Sequence, residues 1–231
     1  MKIVAAKKIL RANDQLAEEN RARFKQSGAF AVNMVGSPGC GKTTFLESLF
    51  RTLDGRVAPA VIEGDIASSI DAERIEKLGI PVVQINTDGA CHLDATMVTA
   101  AADGLELDKI GLLVIENVGN LVCTAGFDLG ENLRIVILSV SEGDDKIAKY
   151  PAIFQRSDAL IISKTDYLAQ SNFSVERAVG DMRRLAPKAE IFQVSALHDE
   201  GMGSVADWLV EKCKANGSSC TKRMSNEKID E

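Results

Sequence analysis

Gly36-Ser37-Pro38-Gly39-Cys40-Gly41-Lys42-Thr43 decides how this chain is read. It fits the pattern G-x-x-x-x-G-K-[ST] at every fixed position. Before it lies Ala29–Val35 (AFAVNMV), a short apolar run suited to a buried strand. After it, residues from Lys42 to about Leu53 read as a helix. Strand, glycine-rich turn and helix, in that order, are the setting in which such a loop wraps a phosphate. Glycines let backbone N–H groups turn toward one anion without Cβ clashes. The helix aims the positive end of its dipole at the same point. The candidate phosphate-binding residues are therefore Gly36, Ser37, Pro38, Gly39, Cys40, Gly41, Lys42, Thr43 and the adjoining Thr44. Lys42 supplies a point charge for the β and γ phosphates, and Thr43 a hydroxyl for Mg²⁺. Cys40 fills a free position of the loop and reads as a small residue without chemistry of its own.

Outward from this loop the strand–helix pattern repeats. Val57–Ile62, Pro81–Ile85, Gly111–Ile115, Leu133–Val140, Ala159–Ile162 and Ile191–Val194 read as further strands. Helical stretches fall between most of them, at Ala72–Leu78, Asp94–Ala102 and Val175–Leu185, with a closing helix at Val205–Asn216. Such alternation predicts an α/β fold of the P-loop NTPase kind, a mostly parallel sheet with helices on both faces. Ala5–Lys25 reads as a polar helix preceding this fold, without Pro or Gly and with Gly28 just past its end. The expected division is an N-terminal helical arm over residues 1–28, a nucleotide-binding domain over 29–216, and a disordered tail over 217–231.

Composition narrows the function classes. The chain has 231 residues, 45% hydrophobic and 26% charged, enough for a core that needs no disulfides. Its formal net charge of -6 fits poorly with general nucleic-acid binding, which rests on neutralising phosphates, and gives no polybasic signal for a membrane. No stretch approaches a transmembrane helix in length, and no long apolar core follows the lysines at 2, 7 and 8, so neither a signal peptide nor a membrane role is expected. A cytoplasmic chain keeps its thiols reduced. The five cysteines are then metal ligands, reactive groups or core residues rather than a disulfide framework.

Two carboxylates stand where a parallel sheet presents ligands, beyond the carboxyl ends of its strands. Asp65 follows the second strand and Glu116 the fourth. Either one holds Mg²⁺, directly or through water, or orients the attacking water. Asp71 is a weaker candidate that also fits a helix cap. Ser163-Lys164-Thr165-Asp166 resembles the guanine-reading N-K-x-D of GTPases, with Ser in place of Asn. A carboxylate at Asp166 accepts from both N1–H and the exocyclic amine of guanine, whereas adenine would set a lone pair against it. That mismatch costs about 1–3 kcal/mol or more. Lys164 has a stem long enough to lie along the base. Ser195-Ala196 follows a later strand and resembles the segment that flanks guanine. GTP is expected over ATP.

A third group of residues suits a transition metal. Cys91-His92 precedes the Asp94 helix, and Cys123 lies shortly beyond Glu116. Two thiolates and an imidazole are good ligands for Ni²⁺ or Zn²⁺. Two half-buried cysteines in a reduced protein fit the same spacing. Location favours the metal, because a ligand next to a γ-phosphate-sensing loop would move with nucleotide state.

Taken together these stretches resemble the HypB family, GTPases that assist nickel insertion into [NiFe] hydrogenase. The likeness runs from Gly28 to about Cys213. It is carried by residues 36–44, Ile62–Asp65 with Asp71–Ile75, Gly89–Asp94, Ile115–Cys123, Ser141–Lys146 with Lys149–Pro151, and Ser163–Asp166. A urease-type GTPase typically has Cys-Pro-His in place of Cys-His. The residues read as a GTP hydrolase giving GDP and phosphate, with Lys42, Asp65 and Glu116 catalytic, and the lack of an evident fast catalytic base or arginine finger predicts slow turnover by the chain alone. The resemblance implies a homodimer favoured by GTP, with Cys91, His92 and Cys123 at or near the dimer interface and Lys149 reaching the partner's nucleotide. HypA and the hydrogenase large-subunit precursor are the implied partners. Residues 1–28 lack the Cys cluster or His-rich run of some members, so no strong N-terminal nickel store is expected. His198 reads as a surface residue, and neither Cys213 nor Cys220 as a ligand. The rival readings are a urease-type chaperone, a small-molecule P-loop kinase and a non-catalytic metal buffer.

Overall fold

The computed structural model describes residues 6–66 and 68–218. Seven strands form one parallel sheet in the order β3-β2-β4-β1-β5-β6-β7. They are β1 Phe30–Gly36, β2 Pro59–Asp65, β3 Val82–Asn86, β4 Leu112–Glu116, β5 Leu133–Ser139, β6 Ala159–Ser163 and β7 Glu190–Val194. The helices are α1 Ala6–Ser27, α2 Lys42–Leu53, α3 Ile70–Glu76, α4 Ala95–Ala102, α5 Lys146–Lys149, α6 Pro151–Gln155, α7 Val175–Leu185 and α8 Met202–Ala215.

Central strands buried on both faces account for the continuous apolar runs. In β5, Ile135 and Ile137 join the core under α2 and α8, while Val136 and Leu138 turn to the opposite face. That opposite face is covered in two halves. Phe24 of α1 and Val98 of α4 pack over β4 and its neighbours. Ile147, Phe154 and Met182, from α5, α6 and α7, pack over β5 and β6.

Two expectations change in detail. The second strand starts at Pro59 rather than Val57 and extends through Glu63 and Gly64 to Asp65, its register with β3 running to the pair Asp65↔Asn86. Asp65 and Glu116 are thus the last residues of their strands, not loop residues beyond them. The ladder continues because strand pairing uses backbone groups and tolerates a carboxylate whose side chain faces a ligand site. Two short helices, α5 and α6, fill the stretch after β5, which the sequence reading left without a named element. The N-terminal helix packs on the outside of the sheet, with Ala17 and Phe24 fully buried. The extreme N-terminus, the tail from residue 219 and Cys220 lie outside the described residues.

Candidate functional site

The phosphate loop leaves the carboxyl end of β1 at the centre of the sheet and enters α2. Gly41 turns the chain at φ 97°, in the left-handed region that favours glycine, so that α2 opens at Lys42. Cys40 is fully buried, and desolvation pushes its thiol up to about 11. It is a neutral core residue at physiological pH, as read from the sequence. The loop is braced from β6. Ser163 Oγ donates to the Cys40 carbonyl at 2.8 Å, and Lys164 Nζ to the Gly39 carbonyl at 2.7 Å. The serine that replaces the usual asparagine therefore still ties the base loop to the phosphate loop.

Beside that brace lies a cavity of about 370 Å³, lined by Gly41, Thr44, Lys164, Asp166, Tyr167 and Ala196 among others. Asp166 Oδ1 accepts from Ser195 Oγ at 2.6 Å, which fixes the carboxylate toward the cavity wall formed by Ala196 and Leu197. Lys164 holds a left-handed backbone conformation, φ 59°, that sends its side chain back over the phosphate loop. Thr44 Oγ1 accepts from Arg74, which also pairs with Glu47 and Asp71 and so ties α3 to α2.

Carboxylates converge next to Lys42. Thr43 Oγ1 donates to Glu116 Oε1 at 3.0 Å, while Glu116 Oε2 is buried with no hydrogen-bond partner. Burial pushes Glu116 up to about 7, against the opposing pull of Lys42 and Thr43. Glu63, not singled out from the sequence, sits directly across the β2–β4 register from Glu116. It is 3% exposed, and its Oε2 is also unpartnered. Burial, then Glu116 and Asp65, push it up to about 8. Asp65 turns both oxygens onto its own loop, accepting from Ile66 N and Ser68 N. Hard oxygen donors, two unpaired buried carboxylate oxygens and a threonine hydroxyl suit a Mg²⁺ ion, which would return these acids to their charged forms.

The Glu116 strand leads into a loop that touches both the phosphate loop and the thiol cluster. A Cβ on Gly119 would stand 2.9 Å from Pro38 N, so only glycine permits this approach. Asn117, 1% exposed, accepts from Leu93 N at 3.1 Å and from Val118 N at 3.0 Å, and donates to Asn33 Oδ1 at 3.3 Å. Leu93 directly follows Cys91-His92. The residue after Glu116 thus holds the backbone of the first thiol segment.

Cys123 opens a short 3₁₀ turn, Cys123–Gly126, its N–H donating to Asn120 Oδ1 at 3.0 Å. The neighbouring Cys91 thiol pushes the Cys123 pKa up. His92 Nδ1 lies 3.7 Å from Cys91 Sγ, and its ring stacks on Phe127 with centroids 3.8 Å apart. Burial lowers the His92 pKa, favouring the neutral imidazole that binds metals. These residues form an open, half-exposed cluster. Among the described residues of the single chain, no three Cys, His, Asp or Glu side chains close into a coordination shell.

Other candidates stand apart. Lys149 is exposed on α5 and ion-paired with Asp145 at 2.5 Å. Cys213 is fully buried in the core under α2, and His198 is exposed. Among the described residues no helix is long and apolar enough to cross a membrane.

The chain is similar to known proteins over most of its length. Residues 30–193 match the family model described as CobW/HypB/UreG, nucleotide-binding domain. The chain is 46% identical over 206 residues to the hydrogenase maturation factor HypB of Escherichia coli (strain K12), covering 89% of this chain and 71% of that protein. It is 43% identical to the hydrogenase/urease maturation factor HypB of Helicobacter pylori (strain J99), covering 94% and 90%. The crystal structure of HypB from Helicobacter pylori in complex with nickel superposes with a TM-score of 0.85 at 42% identity, over 92% of this chain and all of that one.

Proposed function

Because the chain belongs to the HypB group of the CobW/HypB/UreG family, we propose that it is a GTP hydrolase that couples nucleotide turnover to nickel delivery during [NiFe] hydrogenase maturation. One observation carries the reading. The single segment from Glu116 to Cys123 reaches both sites, with Glu116 bonded to Thr43 of the phosphate loop and Cys123 near enough to the Cys91 thiol to have its pKa raised by it.

In this proposal GTP lies along the phosphate loop, with its base in the cavity beside Asp166. Lys42 and the loop N–H groups face the β and γ phosphates, where charge spreads during transfer to water. Thr43, Asp65 and Glu116, with Glu63 behind them, would hold Mg²⁺, which when bound neutralises phosphate charge. Asp65 or Glu116 orients the attacking water. No arginine finger is evident in the sequence, so turnover by the isolated chain is slow.

Cys91, His92 and Cys123 take Ni²⁺, or Zn²⁺, as cargo. Release of γ-phosphate relaxes the Glu116 loop and moves Cys123 and, through Asn117, the Cys91-His92 segment. Metal and nucleotide affinities then depend on each other by reciprocity. A half-exposed cluster that stays open in one chain supports completion of the site across a GTP-favoured homodimer, with Lys149 reaching the partner's nucleotide. HypA, the hydrogenase large-subunit precursor and a cytoplasmic site of action belong to the same proposal. The adjacent Cys-His pair favours hydrogenase over urease as the client.

The test compares hydrolysis of GTP and ATP by the parent protein and Lys42→Ala, with thiolate-to-nickel absorption recorded for the parent and Cys123→Ser. Guanine-selective hydrolysis lost in the first variant, and a nickel band lost in the second, support the proposal. ATP preference, normal turnover by Lys42→Ala or a band that survives in Cys123→Ser would overturn it.

A further inference from the structure

The buried face of α1 has an unusual composition for a helix that covers a sheet. Its buried residues from position 11 onward are Asn13, Ala17, Asn20 and Phe24, spaced for one helical stripe. Half of the stripe is asparagine, at 6% and 1% exposure. A buried amide that found no partner would cost about 1–3 kcal/mol. Both amides are bonded, and both bond the same two pieces of chain.

The first piece is the start of α4, three residues after His92. Ala95 N donates to Asn13 Oδ1 at 2.9 Å, and the Ala95 carbonyl accepts from Asn20 Nδ2 at 3.0 Å. Thr99 Oγ1, one turn on, donates to Asn20 Oδ1 at 2.8 Å. The second piece follows the Cys123 turn. The Asp128 carbonyl accepts from Asn13 Nδ2 at 2.8 Å, and the Leu129 carbonyl from Asn20 Nδ2 at 3.2 Å. Arg21 adds a 2.6 Å ion pair to Asp128. Gly130 lies flush against α1, where a Cβ would stand 2.6 Å from the Ala17 carbonyl oxygen. Asp128 adjoins Phe127, the ring on which His92 stacks.

We infer that Asn13 and Asn20 are positioning residues that bolt the Cys91-His92 segment to the Cys123–Phe127 segment and so set the spacing of the metal-binding side chains. The inference rests on the nickel reading of that cluster. α1 precedes β1, and neither asparagine bonds the phosphate loop or the base cavity, so the bolt acts on metal geometry separately from nucleotide binding. Partners beyond the ligands themselves commonly change metal affinity by about 10–100-fold when removed, because they fix ligand orientation. Asn13 lends itself to dissection. Aspartate at this position keeps an acceptor for Ala95 N but loses the donor to Asp128, freeing the Cys123 side alone.

The experiment uses the full chain with Ni²⁺ as the probe. Asn13→Asp, Asn20→Ala and the parent are compared for thermal unfolding, GTP-analogue affinity, nickel affinity and the thiolate-to-nickel absorption band. The expected result is a nickel affinity at least about tenfold weaker, with a shifted band, in variants that keep their affinity for the GTP analogue. The retained nucleotide affinity serves as the check on folding, and Asn13→Asp supplies the milder lesion if Asn20→Ala unfolds. Unchanged nickel affinity and spectrum in folded variants, beside a parent band that Cys123→Ser abolishes, would overturn the bolt alone. A parent without a Cys123-dependent band would overturn the metal reading and the bolt with it.

Discussion

Replacing Glu63 by glutamine should make the metal-free protein more stable, by an amount that grows as pH rises from 4.5 to about 8. Glu63 is 3% exposed, faces Glu116 across the sheet register and leaves Oε2 without a partner. These surroundings push its pKa from 4.5 to about 8. Between those values the folded chain holds a proton that the unfolded chain releases. The free energy of unfolding therefore falls as pH rises through that window. At 1.36 kcal/mol per pKa unit, relaxed by water entry, the carboxylate costs about 2–4 kcal/mol at pH ~8. Glutamine keeps the shape and never ionises. Thermal unfolding in EDTA without nucleotide should show Glu63→Gln melting about 5–15 °C above the parent near pH 8. Below pH 4.5 the two should melt together. Because Mg²⁺ would compensate the carboxylate, Mg²⁺ with GTP should raise the parent's melting temperature more than the variant's. Parallel melting curves across the pH range, or a variant less stable at every pH, would refute the buried-acid argument.

Two other substitutions test separate joints of the account. Asp166→Asn keeps an acceptor for N1–H but sets a donor opposite the exocyclic amine of guanine, where xanthine has a carbonyl, so affinity for GTP should fall by about 10–100-fold while affinity for a xanthine nucleotide rises, measured by competition binding. Asn117→Ala strips its partner from Leu93 N, Val118 N and Asn33 Oδ1. It should lower stability by about 1–3 kcal/mol, read by urea unfolding, and shrink the ratio of nickel affinities between the GTP-analogue and GDP states.

Much of the fold was legible because buried parallel strands and a phosphate loop leave strong marks. Continuous runs such as Leu133–Val140 and the spacing of Gly36–Thr43 need no tertiary knowledge to read. The end of β2 was less legible, since Glu63-Gly64-Asp65 breaks the apolar run although its backbone stays paired. Glu63 carried one available signal, an acid directly after Val61-Ile62 in a central strand. Asn13 and Asn20 carried none, because a buried asparagine on a polar helix reads like a solvated one until its partners are known. Ser163 stands where the resembled motif has Asn, and the sequence does not say what braces the base loop in its place. The structure gives the serine hydroxyl the bracing role, with Lys164 beside it. The proposed roles of Lys149 and of the thiol cluster call on a second chain, which no single-chain pattern encodes.

The central claim is that nucleotide state controls the Cys91, His92 and Cys123 cluster. The most direct measurement titrates Ni²⁺, and separately Zn²⁺, into protein loaded with GDP or with a non-hydrolysable GTP analogue, reading thiolate-to-nickel absorption for nickel and competition with a chromophoric chelator for zinc, with Cys123→Ser alongside. The account predicts a nickel affinity or stoichiometry that differs between the two nucleotides and collapses in the variant. Equal binding in both states, or binding that survives the loss of Cys123, would contradict it.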